Sequence, residues 1–359
     1  MKILYAFPEE LPLQKARGIQ ACATTSALSQ ISTTYFVAPF KGCPFKAYGI
    51  SAAPSLNKIN LPRKLGPFKS VFLWALKLKI LTLKLKPDII FVRHPKLAYF
   101  LIKLNVSSLF FEVHEILKDK HPSKEKMEYL EKHIYNKAKG LIFISSGLKS
   151  RAEELYSFKA PSIIVPSGTF LCEACAFKKF VPQKIHDIYY VGTGHYSWKG
   201  LNILFKALER CPSITLHFVG PFEEKKLPTS IRNRICVYGW QKFSSIHKIL
   251  EKAQIGVLPN TGESTVSRFY TSPMKLLDYM ATKTAVVASD LPSVRELVSE
   301  KEVLFFAPDD PQSLAEALQL LSQNSKLRER LATAAYEKAK EFTWERRAQI
   351  LYRFFRENL

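Results

Sequence analysis

Short apolar runs alternate along this chain with longer segments whose apolar positions recur every three or four residues. The runs are rich in β-branched and aromatic residues and read as buried strands, and the longer segments read as amphipathic helices. The pattern predicts a strand over Lys2–Phe7, a helix over Gly18–Gln30, a strand over Thr33–Ala38, a long helical segment from Pro67 to Lys86 and a strand over Asp88–Arg93. A short helix near Lys96–Leu104, a strand over Leu109–Val113, a helix over Ser123–Lys139, a strand over Leu141–Ser145, a helix over Gly147–Phe158 and a strand over Ser162–Pro166 follow. Residues 170–186 break the rhythm. It resumes with strand Asp187–Val191, a helix from Lys199, strands Thr215–Val219 and Ile235–Tyr238, and helix Ser244–Lys252. Strand Ile255–Leu258, helix Ser272–Thr282, strand Ala285–Ser289 and a group of closing helices complete the chain. Such alternation builds parallel sheets covered by helices. We therefore expect two doubly wound α/β domains, at 1–180 and 181–342, with a final helix at 343–359 returning to the first. Ligands of open parallel sheets lie beyond the carboxyl ends of the strands. Two such domains facing each other would place a site in the cleft between them.

One helical segment departs from the ordinary amphipathic pattern. In Lys69–Lys86, residues Val71, Trp74, Leu78, Leu81 and Leu85 form one apolar stripe. The opposite side carries Phe72, Leu73, Leu76, Ile80 and Leu83, flanked by Lys69, Lys77, Lys79, Lys84 and Lys86. Apolar side chains interleaved with lysine suit a helix lying on an anionic lipid surface. Lys69, Phe72, Leu76, Lys77, Ile80 and Lys84 are the expected membrane contacts; burial of both faces is the alternative.

Charge strengthens this reading. The 359 residues carry a formal net charge of +22. Between Leu11 and Pro87 there are 12 basic residues and no acidic one, so a polyanionic partner is expected on the first half. A hydrophobic content of 47% excludes wholesale disorder. No apolar run reaches the ~18–20 residues of a transmembrane helix, and the N-terminus turns acidic too early for a secretory signal. A cytoplasmic, peripheral location on the inner face of the membrane is the expectation. Six cysteines do not make a disulfide scaffold, so reduced thiols are expected. The single pair Cys172–Cys175 is half a zinc site, and we expect no metal.

Two segments in the second half suit phosphate. Val191–Gly200 (VGTGHYSWKG) follows a strand and opens a helix, so its glycines let the backbone approach an anion while Lys199 adds charge. A tight turn with an exposed lysine reads the same way. Neither the dinucleotide fingerprint nor the P-loop signature is present. In Tyr270–Ala281, Ser272 is a good N-cap and Pro273 suits the first helical position. Lys275 lies near that helix start, and Asp278 lies one turn on, placed to accept hydroxyls.

Together these segments resemble the retaining GT-B glycosyltransferases of the "glycosyl transferases group 1" family, over nearly the whole chain. ARGIQ (Ala16–Gln20) resembles its N-terminal glycine loop; PDIIFVRHP (Pro87–Pro95) and FFEVHE (Phe111–Glu115 with its flank) resemble its acceptor-side segments. TGHYSWKG (Thr193–Gly200) resembles its diphosphate turn and VLPN (Val257–Asn260) a strand end at the donor site. YTSPMKLLDYMATKTAVVASDLPSVREL (Tyr270–Leu297) is similar to its donor-nucleotide helix and is the most specific block. The resemblance implies a nucleotide-sugar donor on the second domain, held by Gly194, His195, Lys199, Asn260, Ser272, Pro273, Met274, Lys275 and Asp278. It implies a lipid-linked or lipopolysaccharide-core glycan acceptor on the first domain, near Gly18, Arg93 and Glu112. It further implies transfer with retention, no required metal and no cofactor. Asp278 stands where the family has a longer glutamate, and Thr271 where it has a first carboxylate, so Glu263 or Arg268 is left to read the sugar. His114 is the expected catalytic contact with donor sugar or acceptor hydroxyl, without acting as a general base. A sugar-nucleotide epimerase or a basic nucleic-acid-binding protein are the other readings; no nucleic-acid motif supports the latter.

Overall fold

The computed structural model describes residues 1–65, 68–120 and 123–359. The chain divides into two units, residues 1–166 with 344–359, and residues 167–343.

The first unit is built on β1 (Lys2–Ala6), β2 (Thr33–Ala38), β3 (Asn57–Asn60), β6 (Ile89–Val92), β7 (Leu109–Val113), β8 (Gly140–Phe143) and β9 (Ser162–Ile164), with a small hairpin of β4 (Lys64–Leu65) and β5 (Phe68–Lys69). The seven-stranded sheet has the order β3-β2-β1-β6-β7-β8-β9, and all its pairs are parallel. Every residue of β6 and β7 is buried, as expected for a parallel sheet covered on both faces. The helices are α1 (Ala16–Ser29), α2 (Pro44–Tyr48), α3 (Val71–Leu85), α4 (Pro95–Lys103), α5 (Leu117–Lys120), α6 (Lys124–Lys137) and α7 (Ser146–Leu155). Local chemistry sets their starts: at α4, His94 Nδ1 accepts the Leu97 N–H and Pro95 follows at the first helical position.

The second unit carries β10 (Asp187–Val191), β11 (Thr215–Val219), β12 (Ile235–Val237), β13 (Ile255–Leu258), β14 (Ala285–Ser289) and β15 (Leu304–Phe306) in the order β12-β11-β10-β13-β14-β15, all parallel. Its helices are α8 (Leu201–Glu209), α9 (Phe243–Lys252), α10 (Thr265–Phe269), α11 (Met274–Ala281), α12 (Pro292–Arg295), α13 (Pro311–Gln323) and α14 (Ser325–Ala339). The last helix, α15 (Trp344–Glu357), belongs to the first unit, where Phe355 packs edge-on against Phe91 and Phe110.

The boundary after residue 180 expected from the sequence lies instead after Pro166. Residues 167–186 look like a linker in composition but are bonded into the second unit. Cys172 N–H donates to Ala281 O, and the Lys178 ammonium is enclosed by the carbonyls of Leu250, Ala253 and Thr282 and the Thr284 hydroxyl. Burial lowers Lys178 to about 7. Cys172 and Cys175 are joined as a disulfide, not reduced thiols, because the 3₁₀ turn at Glu173–Phe177 brings their Cα atoms to 5.3 Å. The long helix begins at Val71; Lys69 lies in the hairpin strand β5, and Pro67, the expected start, lies outside the described residues.

Candidate functional site

In the second unit the chain runs from β10 outward to β11 and β12, then returns to the other side of β10 at β13. Loops leaving two adjacent strands in opposite directions open a crevice at their carboxyl ends. Gly192 follows β10 and Asn260 lies just after β13. The two loops touch: Gly200, at φ +66°, would place a Cβ 1.7 Å from the Pro259 carbonyl oxygen, so only glycine fits there. Thr261 N–H donates to Trp198 O across the same contact.

Two lysines converge on this turn. Lys199 Nζ donates to Thr193 Oγ1 at 3.0 Å. Lys275, in the first turn of α11, places Nζ 3.7 Å from the Tyr190 ring centroid and 3.2 Å from where a Cβ would stand at Gly192. Lys275 Nζ is buried and, among the described residues, has no hydrogen-bond acceptor. Burial lowers its pKa well below the ordinary value, and the neighbouring Lys199 lowers it further. Burial alone lowers Lys199 to about 8. A buried ammonium with only a ring face beneath it is costly unless an anion completes it. The arrangement is a cradle of two lysines that an anion could complete.

The other expected donor residues take varied places around it. Asn260 is buried with Oδ1 unbonded. The Phe222 ring covers Gly194, and His195 is exposed on the turn. Ser272 does not cap α11: its hydroxyl accepts the Ser167 N–H at 2.9 Å, and Pro273 holds the cap position ahead of Met274. Asp278 is 5% exposed and is held from two sides. Thr169 Oγ1 donates to its Oδ1 at 2.9 Å, and His247 Nε2 lies 3.5 Å from the same oxygen. Both contacts are made to Oδ1 and neither to Oδ2. Glu263 and Arg268 line a separate cavity of about 340 Å³ with Asp290 and Asp309.

In the first unit the equivalent reversal lies between β1 and β6. Arg93, just after β6, donates through Nη1 to Gln20 Oε1 of α1 at 2.6 Å. Gly18, on the same helix, is buried because the Tyr48 hydroxyl occupies the space a Cβ would need (2.2 Å); that hydroxyl donates to Leu13 O. The lack of a Cβ at Gly18 thus admits Tyr48 beside α1. The buried Glu112 carboxylate is paired with Arg347 of α15, and Arg347 also donates to Pro166 O and Thr24 Oγ1. Burial would raise the Glu112 pKa, but Arg347 and His114 hold it well below the carboxylate range. His114 Nε2 lies 3.2 Å from Glu112 Oε2. Burial, then the charge of Arg93, lowers His114 to about 4, so its ring is neutral at pH 7.

Helix α3 buries Trp74, Ala75 and Leu78 and leaves Phe72, Ile80 and Leu83 at 41%, 59% and 66% exposure. Lys84 is exposed; Leu76 and Lys77 are half-buried, Lys77 donating to Pro62 O. Val71, Leu81 and Leu85 of the expected inward stripe are only half-covered. The exposed face therefore combines large apolar side chains with lysine, next to Phe100 of α4, whose ring meets Phe72 at 5.3 Å. No helix among the described residues is long and apolar enough to cross a membrane. Among the described residues, no group of three or more His, Cys, Asp or Glu side chains could hold a metal ion.

Residues 185–324 match the family model "Glycosyl transferases group 1". The matched segment is 140 of the 359 residues and holds all six strands of the second unit's sheet. Among known proteins, the phosphatidyl-myo-inositol mannosyltransferase of Mycobacterium tuberculosis is 23% identical over 236 residues, 62% of this chain and 60% of the relative's length. The match thus spans less than two thirds of that relative. Of solved structures, Anabaena Alr3699/HepE in complex with UDP-glucose superposes with a TM-score of 0.76 at 16% identity, covering 99% of this chain and 100% of that one. The lipopolysaccharide outer core galactosyltransferase WaaB, in its apo form, gives 0.70 at 16% identity with 100% of both chains covered. These likenesses establish the fold: two Rossmann-like parallel-sheet units of the GT-B kind. Lys199 and Lys275 both lie inside the matched segment.

Several residues around the cradle and the first-unit reversal carried no sequence signal of their own. Thr169 and His247 reach Asp278 from 109 and 31 residues away, and Arg347 reaches Glu112 from 235. Tyr190, the ring under Lys275, reads in sequence as one more apolar strand residue.

Proposed function

We propose that this chain is a glycosyltransferase that moves a sugar, with retention, from a nucleotide-diphosphate sugar to a lipid-linked or lipopolysaccharide-type glycan at the cytoplasmic membrane face. The observation that carries the donor half is the buried, unpartnered Lys275 ammonium beside Lys199 and the Gly192 turn. The printed names of the relatives favour the same class: a mannosyltransferase of a phosphatidyl lipid, a protein seen with UDP-glucose, and a lipopolysaccharide galactosyltransferase.

In this reading the diphosphate lies between Lys199 and Lys275, and the free oxygen of Asp278 takes ribose hydroxyls. The bond from the anomeric carbon to the phosphate oxygen breaks while a bond to the acceptor oxygen forms on the same face. The acceptor proton passes to the departing phosphate. Charge builds on the leaving diphosphate, and two fixed ammonium groups there are worth several kcal/mol in the transition state. They supply the positive charge that a metal supplies elsewhere, so none is required. His114, neutral at pH 7 with its pKa near 4, can hold a hydroxyl by hydrogen bonding but is a poor proton acceptor. The acceptor is then presented from a membrane on which α3 lies, with Phe72, Leu76 and Ile80 inserted and Lys77 and Lys84 over anionic headgroups.

Thermal-shift measurement against a panel of nucleotide sugars and free nucleoside diphosphates tests the donor assignment. At least one should raise the melting temperature of the wild type, and Lys275→Gln should abolish that shift. Stabilisation by none of them overturns the reading.

A further inference from the structure

The reversal point of the first unit holds a charge that nothing nearby balances. Glu112 is taken up by Arg347 and faced by His114. Arg93 lies in the same electrostatic neighbourhood, where it lowers the pKa of both Glu112 and His114. Yet among the described residues no carboxylate forms an ion pair with its guanidinium; its recorded partner is the neutral amide oxygen of Gln20, at 2.6 Å. Two arginines, one glutamate and a neutral imidazole leave one net positive charge. Arg93 itself is partly exposed, so part of its side chain is open to solvent.

The buried groups around it lack partners too. Gln20 is 4% exposed, and with its Oε1 given to Arg93 its Nε2 has no acceptor. The Tyr5 hydroxyl, 1% exposed and in the field of Glu112, Arg93 and Arg347, has no partner either. Buried donors of this kind are ordinarily satisfied. Orphan donors beside an unbalanced guanidinium, at the carboxyl ends of β1 and β6, describe a site lacking an anionic oxygen ligand.

We propose that Arg93, held in place by Gln20, binds an anionic oxyacid group of the acceptor, a phosphate or a carboxylate on the sugar that is extended. The acceptor is thereby a charged sugar and not a neutral one. This rests on the reading of the first unit as the acceptor side. It deepens that reading by naming the substrate class.

The test is calorimetric titration of the full chain, saturated with UDP so that the lysine cradle is occupied. The ligands are glucose 6-phosphate, glucuronate and the neutral methyl α-glucoside. One or both anionic sugars should bind at least tenfold more tightly than the neutral one, and which of them does so separates phosphate from carboxylate. Arg93→Gln should remove that preference, Arg93→Lys should restore part of it, and Gln20→Leu should weaken it several-fold. The thermal shift produced by UDP should be unchanged in all three variants, which reports both intact folding and an intact donor site. Equal binding of charged and neutral sugars, or full anion preference in Arg93→Gln, overturns the proposal. Loss of UDP binding in the wild type would instead strike the donor reading.

Discussion

Raising the pH should weaken nucleotide binding through the two cradle lysines. In the free protein burial lowers Lys199 to about 8, and it lowers Lys275 well below the ordinary value with Lys199 as the second cause. A diphosphate between them favours the ammonium forms and draws both values back toward the ~10.4 of a solvated lysine. Binding therefore takes up protons. For one lysine that titrates at about 8 when free and stays protonated in the complex, affinity falls about tenfold between pH 7 and pH 9, or about 1.4 kcal/mol. Lys275, also lowered by burial, acts in the same direction. The terminal phosphate of a nucleoside diphosphate, with a second pKa of about 6, is already ionised above pH 7 and adds little. Stability of the free protein runs the other way. Between about 8 and ~10.4 the unfolded chain binds the Lys199 proton and the folded chain does not, so that lysine's contribution to stability rises with pH. Titration calorimetry of UDP at pH 7, 8 and 9, in buffers of differing ionisation heat, reads affinity and proton uptake together. A flat affinity with no proton uptake refutes the cradle. Lys199→Met should remove the pH 8 component and leave the rest.

Three further outcomes follow from the same geometry. Glu112→Gln strands the buried Arg347 charge and should cost about 3–5 kcal/mol, a fall of roughly 10 °C in thermal midpoint for a unit of this size; Glu112→Leu combined with Arg347→Met should recover much of it. Thr169→Val removes one of the two groups that orient Asp278 and should cost about 1 kcal/mol of UDP affinity, while 2′-deoxy-UDP, measured in parallel, should lose less. Lys77→Glu with Lys84→Glu should reduce co-sedimentation with anionic liposomes by about 1 kcal/mol or more per reversed charge, and unchanged binding would mean that the α3 face is not the membrane contact.

The parallel sheets were legible because each strand is a short, wholly apolar run and each helix keeps its own period, as at Ile89–Val92 and Leu201–Glu209. Lys199 and Lys275 were each legible as a charge near a helix start, and the resemblance put them on one group; local pattern does not show that they converge, because α11 follows another helix, α10. The failures share a cause. Ser272 is an excellent capping residue by type, but a tertiary partner, the Ser167 N–H, claims its hydroxyl and moves the cap to Pro273. The Glu112–Arg347 pair was not legible because Arg347 is supplied from the far end of the chain. Residues 170–186 looked like a linker because their bonds to the second unit run through backbone carbonyls and one lysine, groups that leave no pattern in composition.

The division of the chain at Pro166 and Thr343 makes the second unit an insertion within the first. Its two ends are adjacent, since Thr169 pairs with Thr343 and donates to Phe342 O at 2.9 Å. The host is likewise nearly closed without it, because Arg347 Nε donates to Pro166 O at 2.9 Å across the gap. Residues 167–343 thus form one contiguous segment suited to separate expression, and a short loop from residue 166 to residue 344 is enough to rejoin the remainder. By this arrangement the second unit can be removed or replaced as a single cassette while the first keeps its own core.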